Sequence, residues 1–205
     1  MDIATILSLG QTALELGLIC SLTVLALYLS YSMLNVCDLS TDGCFTLGAT
    51  VGAAVAIAGH PYLALPAAMA AGVLSGLCTA LLQTKMGVNS LLSGINVNRV
   101  KLGVYALMGA VVAIAAVLQV SRIGAMDPAN AGSGYELDSI AAVIVGGTSM
   151  SGGKGSVVGT VFGMLIIAVM NNLLNLLGVP PFLREAFKGA IIIAAVLLQR
   201  KSSDN

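Results

Sequence analysis

The sequence predicts an all-α integral membrane protein: a bundle of about seven transmembrane helices, some short or re-entrant, with the N-terminus outside and the C-terminus cytoplasmic. Three observations lead there. Of the 205 residues, 58% are apolar and only 9% charged, against roughly 25% charged in a soluble domain. Lipid must therefore replace water as the solvent for most of the surface. The apolar residues also gather into seven segments on the scale of a membrane span, and the basic residues sort to one side of a seven-span arrangement.

The segments are residues 14–34, 44–59, 62–83, 102–120, 140–150 with its flanks, 157–177, and 189–199 with an amphipathic lead-in from Phe182. A spanning helix needs roughly 20 apolar residues. The first, third, fourth and sixth segments meet that length. The second, fifth and seventh are short and rich in glycine or small residues, as half-helices and re-entrant pieces buried in protein are. Seven crossings from an outside N-terminus place Lys85, Arg99, Lys101, Lys154, Arg200 and Lys201 inside. Only Arg122, Arg184 and Lys188 then lie outside, as the excess of cytoplasmic Lys and Arg requires. Without a fifth crossing the excess nearly vanishes and the C-terminus moves outside, so the charges favour a crossing. Trp is absent, which leaves Tyr28, Tyr31 and Tyr62 as weak interface anchors. The start, MDIATILSLGQTALELG, lacks the basic n-region and small-residue cleavage site of a secretory signal.

Small residues recur every fourth position in three stripes: Gly48, Gly52 and Ala56; Ala68, Gly72, Gly76 and Ala80; Gly155, Gly159 and Gly163. Between helices in lipid there is no hydrophobic drive, so close backbone approach through small faces holds them together. General helix packing explains all three; one stripe acting as a dimer face is the sharper alternative.

Functional chemistry is sparse. Nine basic and nine acidic side chains give zero net charge, which excludes the basic face that nucleic acid needs. Cys20 and Cys78 lie in apolar runs, Cys37 and Cys44 flank an acidic loop, and none has zinc spacing. His60, in AGHPYL, belongs to a turn between spans. No metal site, cofactor site, catalytic triad or paired carboxylates are expected. Between two apolar runs, GGTSMSGGKG packs five glycines and Lys154 into ten residues. A phosphate-binding loop, G-x-x-x-x-G-K-[ST], would need glycine where Thr148 stands and a hydroxyl where Gly155 stands. Gly152, Gly153, Lys154 and Gly155 instead form a tight cytoplasmic turn between two helices. Asn171, Asn172 and Asn175 interrupt the sixth segment, with Asn171 and Asn175 on one face. They either line a path for a hydrogen-bonding solute or tie helices together. Glu15 lies at the outer end of the first segment.

Four stretches, GINVNRVKLGVYALMGA, GYELDSIAAVIVGGTSMSGGKGSVVGT, NNLLNLLGV and FKGAIIIAAVLLQRK, resemble permease subunits of binding-protein-dependent ABC importers of the ribose and galactoside group. The resemblance runs over residues 93–201. The earlier LALYLSYSMLNVCDLSTDGCFTLGATVGAA and LLQTKMGVNSLLSGI are similar to a branch of the same superfamily associated with amino acids. The two meet near Leu92 to Ile95. Such permeases carry two or three more spans before the ATPase-coupling loop, so the junction reads as a natural short form, a fusion or a deletion. A single permease domain over 1–205 is expected, with an amino-acid-permease-like part (1–92) and a sugar-permease-like part (93–201).

The resemblance implies that Ser93, Gly94, Ile95 and Asn96, followed by Arg99 and Lys101, form the cytoplasmic loop that docks on an ATPase subunit. It further implies a second permease subunit, an extracytoplasmic solute-binding protein, and residence in the bacterial plasma (inner) membrane. ATP would be hydrolysed by the separate subunit, so the chain is not expected to be an enzyme. A monosaccharide such as ribose is the first expectation for the solute and an amino acid the second. A passive channel without an ATPase, and an inactive fused permease, are the alternatives.

Overall fold

The computed structural model describes residues 3–34, 40–85, 97–124, 134–148 and 155–203. These form seven helices and no strand: α1 (Ile3–Leu34), α2 (Thr41–Ile57), α3 (Pro61–Lys85), α4 (Val97–Ile123), α5 (Tyr135–Val145), α6 (Val157–Leu176) and α7 (Pro181–Ser203). Four stretches are long and apolar enough to cross a membrane: Gly10–Ser30, Pro61–Leu82, Arg99–Ile123 and Val157–Leu176. They fall in α1, α3, α4 and α6, the four segments read as long. At a rise of 1.5 Å per residue, α2 is about 25 Å long and α5 about 16 Å, short of a ~30 Å hydrocarbon core.

Several boundaries differ from the expected ones, α4 for example covering Val97–Ile123 rather than 102–120. Helix α1 starts at Ile3, well before residue 14. Near this end Ser8, Gln11, Thr12 and Glu15 are exposed, and Gln11 Nε2 donates to Glu15 Oε1 at 3.0 Å. Helix α5 covers Tyr135–Val145 rather than 140–150. Gly147 ends it in a left-handed conformation (φ 84°), while the Gly147 and Thr148 N–H groups donate back to the Ile144 and Val143 carbonyls. The amphipathic lead-in from Phe182 and the last apolar run are one continuous helix, α7. Pro181 stands at its first position, where a missing N–H leaves no helical bond unmade.

The chain divides into two compact units. One, Leu29–Tyr135, contains the end of α1 and all of α2, α3 and α4. Helices α3 and α4 run antiparallel and touch at glycine: a Cβ on Gly72 would collide with the Gly109 carbonyl oxygen, and one on Gly76 with that of Tyr105. Helix α2 lies along α4 in the same direction, with Gly48 facing Ala113 and Gly52 facing Val117. Gly52 also approaches Ala68 of α3. Small residues thus let three backbones approach closely, the packing that replaces hydrophobic drive in lipid. Gly59 (φ 90°) turns the chain from α2 into α3 beside an exposed His60. Phe45, fully buried, stacks on Tyr135 at 4.7 Å between ring centroids, and the Tyr135 hydroxyl accepts from Gln119 Nε2.

The other unit, Met1–Tyr28 with Glu136–Asn205, contains the first part of α1, α5 from its second residue, α6 and α7. Helices α5 and α6 form an antiparallel pair. A Cβ on Gly146 would stand 2.5 Å from the Gly159 carbonyl oxygen, and one on Gly163 would collide with the Ala142 carbonyl oxygen. Gly17 of α1 faces Leu165 and Ala168 of α6. Ser156 caps α6, its Oγ accepting from the Gly159 N–H at 3.2 Å, which satisfies one of the unpaired donors of the first turn.

Candidate functional site

The α5–α6–α7 unit holds a charged cluster between its helices. Asp138, in the first turn of α5, receives Lys188 Nζ of α7 at 2.6 Å on Oδ1. Asn171 of α6 donates Nδ2–H to Asp138 Oδ2 at 3.1 Å. Lys188 Nζ also donates to Glu185 Oε1 at 3.0 Å, one helical turn back. The Lys188 and Asp138 side chains are only 8% and 14% exposed. Charges so placed persist in a membrane helix only when paired, and here Asp138 Oδ1 faces the Lys188 ammonium while Oδ2 accepts the Asn171 hydrogen bond. The cluster lies about 8–10 Å along α6 and α7 from the turn that joins them, counting 1.5 Å per residue. Arg184 holds that turn, donating Nε–H to the Val179 carbonyl at 3.0 Å.

Of the three expected path residues, Asn171 alone enters the cluster. Asn172 is half-buried; Asn175 is exposed, and its carbonyl accepts the Gly178 N–H as the helix ends. Sequence reasoning missed Asp138, Glu185 and Lys188. Starting the fifth span at Ile140 left Asp138 outside it, and Lys188 was counted as an outside surface charge. The available signal was an acid and a base each flanking a short apolar run, since such charges need a partner on a neighbouring helix.

The expected coupling residues Ser93, Gly94, Ile95 and Asn96 lie outside the described residues, as do Gly152, Gly153 and Lys154. Arg99 is exposed and Lys101 half-buried in the first turns of α4. Gly155 lies against Thr148 and Tyr28, so a Cβ there would come within 2.8 Å of each side chain. Gly48, Gly52, Gly72, Gly76, Gly159 and Gly163 face the helix seams described above. Cys20 and Cys44 are buried, with Cys44 Sγ donating to Ser75 Oγ at 3.3 Å; Cys78 is exposed and Cys37 lies outside the described residues. Among the described residues no cluster of His, Cys, Asp or Glu is set to hold a metal ion. In the α2–α4 unit an apolar groove of about 210 Å³ is lined by Gly52, Ala56, Pro61, Ala64, Val117 and Val120.

A family model described as "Branched-chain amino acid transport system / permease component" matches residues 11–94 and residues 90–196. The chain belongs to this permease family. The two matched stretches of this permease-family chain meet at residues 90–94, beside the Leu92–Ile95 junction between the two resemblances. Relatives include the ribose import permease protein RbsC of Bacillus subtilis, 53% identical over 114 residues, which are 56% of this chain and 35% of that protein. RbsC of Escherichia coli K12 is 50% identical over 110 residues, 54% of this chain and 34% of the relative. The xylose transport system permease protein XylH of Escherichia coli K12 is 50% identical over 105 residues, 51% and 26% respectively. The chain thus spans about a third or less of these relatives' length. No solved structure matches it. The family's description is that of a permease component of a transport system, a role that is not enzymatic.

Proposed function

We infer that this chain is a transmembrane permease subunit of an ABC importer for a monosaccharide such as ribose, forming the solute path and coupling it to ATP hydrolysis in a separate subunit. The observation that carries this is the identity of half or more to ribose and xylose permeases over a hundred-residue stretch. Asn171, Asn172 and Asn175 belong to the path. Ser93–Asn96 with Arg99 and Lys101 form the loop that docks on the ATPase, and Gly152, Gly153, Lys154 and Gly155 the cytoplasmic turn. A second permease subunit completes the path, and an extracytoplasmic solute-binding protein delivers the sugar. Rocking between outward- and inward-open states moves it across. The chain acts as one permease domain, with parts 1–92 and 93–201, in the bacterial plasma membrane.

Seven crossings, with the N-terminus outside, suit the charges better once the Lys188–Asp138 pair is recognised. Lys188 is neutralised within the protein and does not weigh against the inward excess of Lys and Arg. Antiparallel α3–α4 and α5–α6 pairs, and a parallel α2 and α4, fit alternating crossings.

Replacing residues 93–96 with Gly-Ser linker tests the coupling role. The expected outcome is loss of ATPase co-purification and of ATP-driven ribose uptake, with membrane insertion intact. Unchanged co-purification removes the importer reading and leaves a passive facilitator. Excess leucine should leave ribose uptake unaffected.

A further inference from the structure

In the Asp138–Lys188–Asn171 cluster, Asp138 Oδ1 has the Lys188 ammonium at 2.6 Å, whereas the Asn171 amide oxygen has neither an ion partner nor a donor among the described residues. Asp138, ionised against Lys188, can only accept hydrogen bonds, so the Asn171 amide must face it with its NH₂. A flipped amide would set oxygen against carboxylate. The orientation is therefore dictated, and it turns Asn171 Oδ1 away from the ion pair. That oxygen is buried and has no hydrogen-bond partner among the described residues. An unpaired buried acceptor is unfavourable anywhere, and more so in a membrane, where no bulk water relieves it.

We propose that Asn171 is a specificity-determining residue, its amide oxygen aimed by the Asp138–Lys188 pair to accept a hydrogen bond from a solute hydroxyl group. This rests on the importer reading above and names the chemistry of the solute: a neutral polyhydroxy compound. Lys188 is already engaged by Asp138 and Glu185, so it offers no spare attraction to an anionic or zwitterionic solute. The second carboxylate, Glu185, makes the cluster net negative and repels anions. The site lies at the α6–α7 turn end of these helices, the outer half in the proposed orientation, where solute delivered from outside first meets this unit. Asn171 itself is half-buried while its Oδ1 is buried, so the proposal requires α6 to part from its neighbours when solute is received. Asp138 and Lys188 act as positioning residues, through the amide.

The test is uptake by the assembled importer in proteoliposomes, comparing labelled ribose with each of its singly deoxygenated analogues. Wild type should prefer ribose over one analogue by about three- to tenfold, the worth of one hydrogen bond to an uncharged group. Asn171→Leu and Asn171→Gln should bring that ratio close to one while raising KM for ribose. Asp138→Asn should lower the same ratio, and Glu185→Gln should leave it unchanged. Asn171→Gln keeps the donor to Asp138 but displaces the oxygen, so it decides the matter where Asn171→Leu fails to reach the membrane. A wild-type ratio retained in both Asn171 variants, or no preference by wild type for ribose over any analogue, overturns the proposal. Absence of ribose uptake by wild type overturns the sugar-importer reading instead, and this proposal with it.

Discussion

Lys188 engages two carboxylates at once. Its ammonium sits 2.6 Å from Asp138 Oδ1 and 3.0 Å from Glu185 Oε1, and the first of these partners is nearly as buried as Lys188 itself. Deleting one member of a buried pair leaves the other charge without compensation, which costs about 3–5 kcal/mol. Replacing both with apolar residues removes the demand. Lys188→Met should therefore sharply lower thermal stability in detergent, whereas Asp138→Leu/Lys188→Met should recover most of the loss. A double variant no more stable than the single would show that packing, not charge pairing, holds this site. Glu185 is half-exposed, and Glu185→Gln should shift stability by at most about 1 kcal/mol, the range of exposed pairs. Sequence alone showed the charges but not the pair, because Asp138 and Lys188 are fifty residues apart in the chain and meet only when α5 packs beside α7.

Helices α3 and α4 share the tightest seam in their unit. Gly72 and Gly109 approach so closely that a Cβ on either would collide with the other's carbonyl oxygen. Backbone cannot yield as a side-chain tip can, so Gly109→Ala should destabilise by about 1–3 kcal/mol, the usual range for overpacking. Gly103, on the same helix with nothing within 4 Å of an added Cβ, is the control. Gly103→Ala should be neutral or slightly stabilising, since alanine is the better helix former. The surviving monodisperse fraction after a heat step reads both, and equal behaviour of the two variants would refute the seam. The stripe at Gly72 and Gly76 was legible from its spacing of four, but Gly109 was not: its partner lies on another helix, and spacing within one helix says nothing of which glycine it meets. Helix α5 shows the complementary limit. The expected segment ran on to residue 150, yet the helix stops at Val145, where Gly146 and Gly147 follow, and the polar Tyr135–Asp138 turn that precedes the apolar run is helical because its side chains find partners.

For the whole molecule, orientation is the decisive property. With native Cys20, Cys37, Cys44 and Cys78 replaced, a membrane-impermeant maleimide should label His60→Cys in intact spheroplasts. It should label Arg99→Cys only after permeabilisation. Both positions are exposed, so reagent access reports the side of the membrane, and the reverse pattern would invert the proposed topology. The all-helical class, the four long apolar helices and the permease family were all legible in the sequence, because they depend on composition, run length and local motif, which the chain carries residue by residue. Only the tertiary structure decided which glycine meets which carbonyl, and that Asp138, Asn171 and Lys188 form one buried cluster. Those depend on helix rotation and neighbour choice: a helix turned by one residue, 100° about its axis, would present a different face. Which face is turned inward is settled by contacts between distant segments and not by any segment alone.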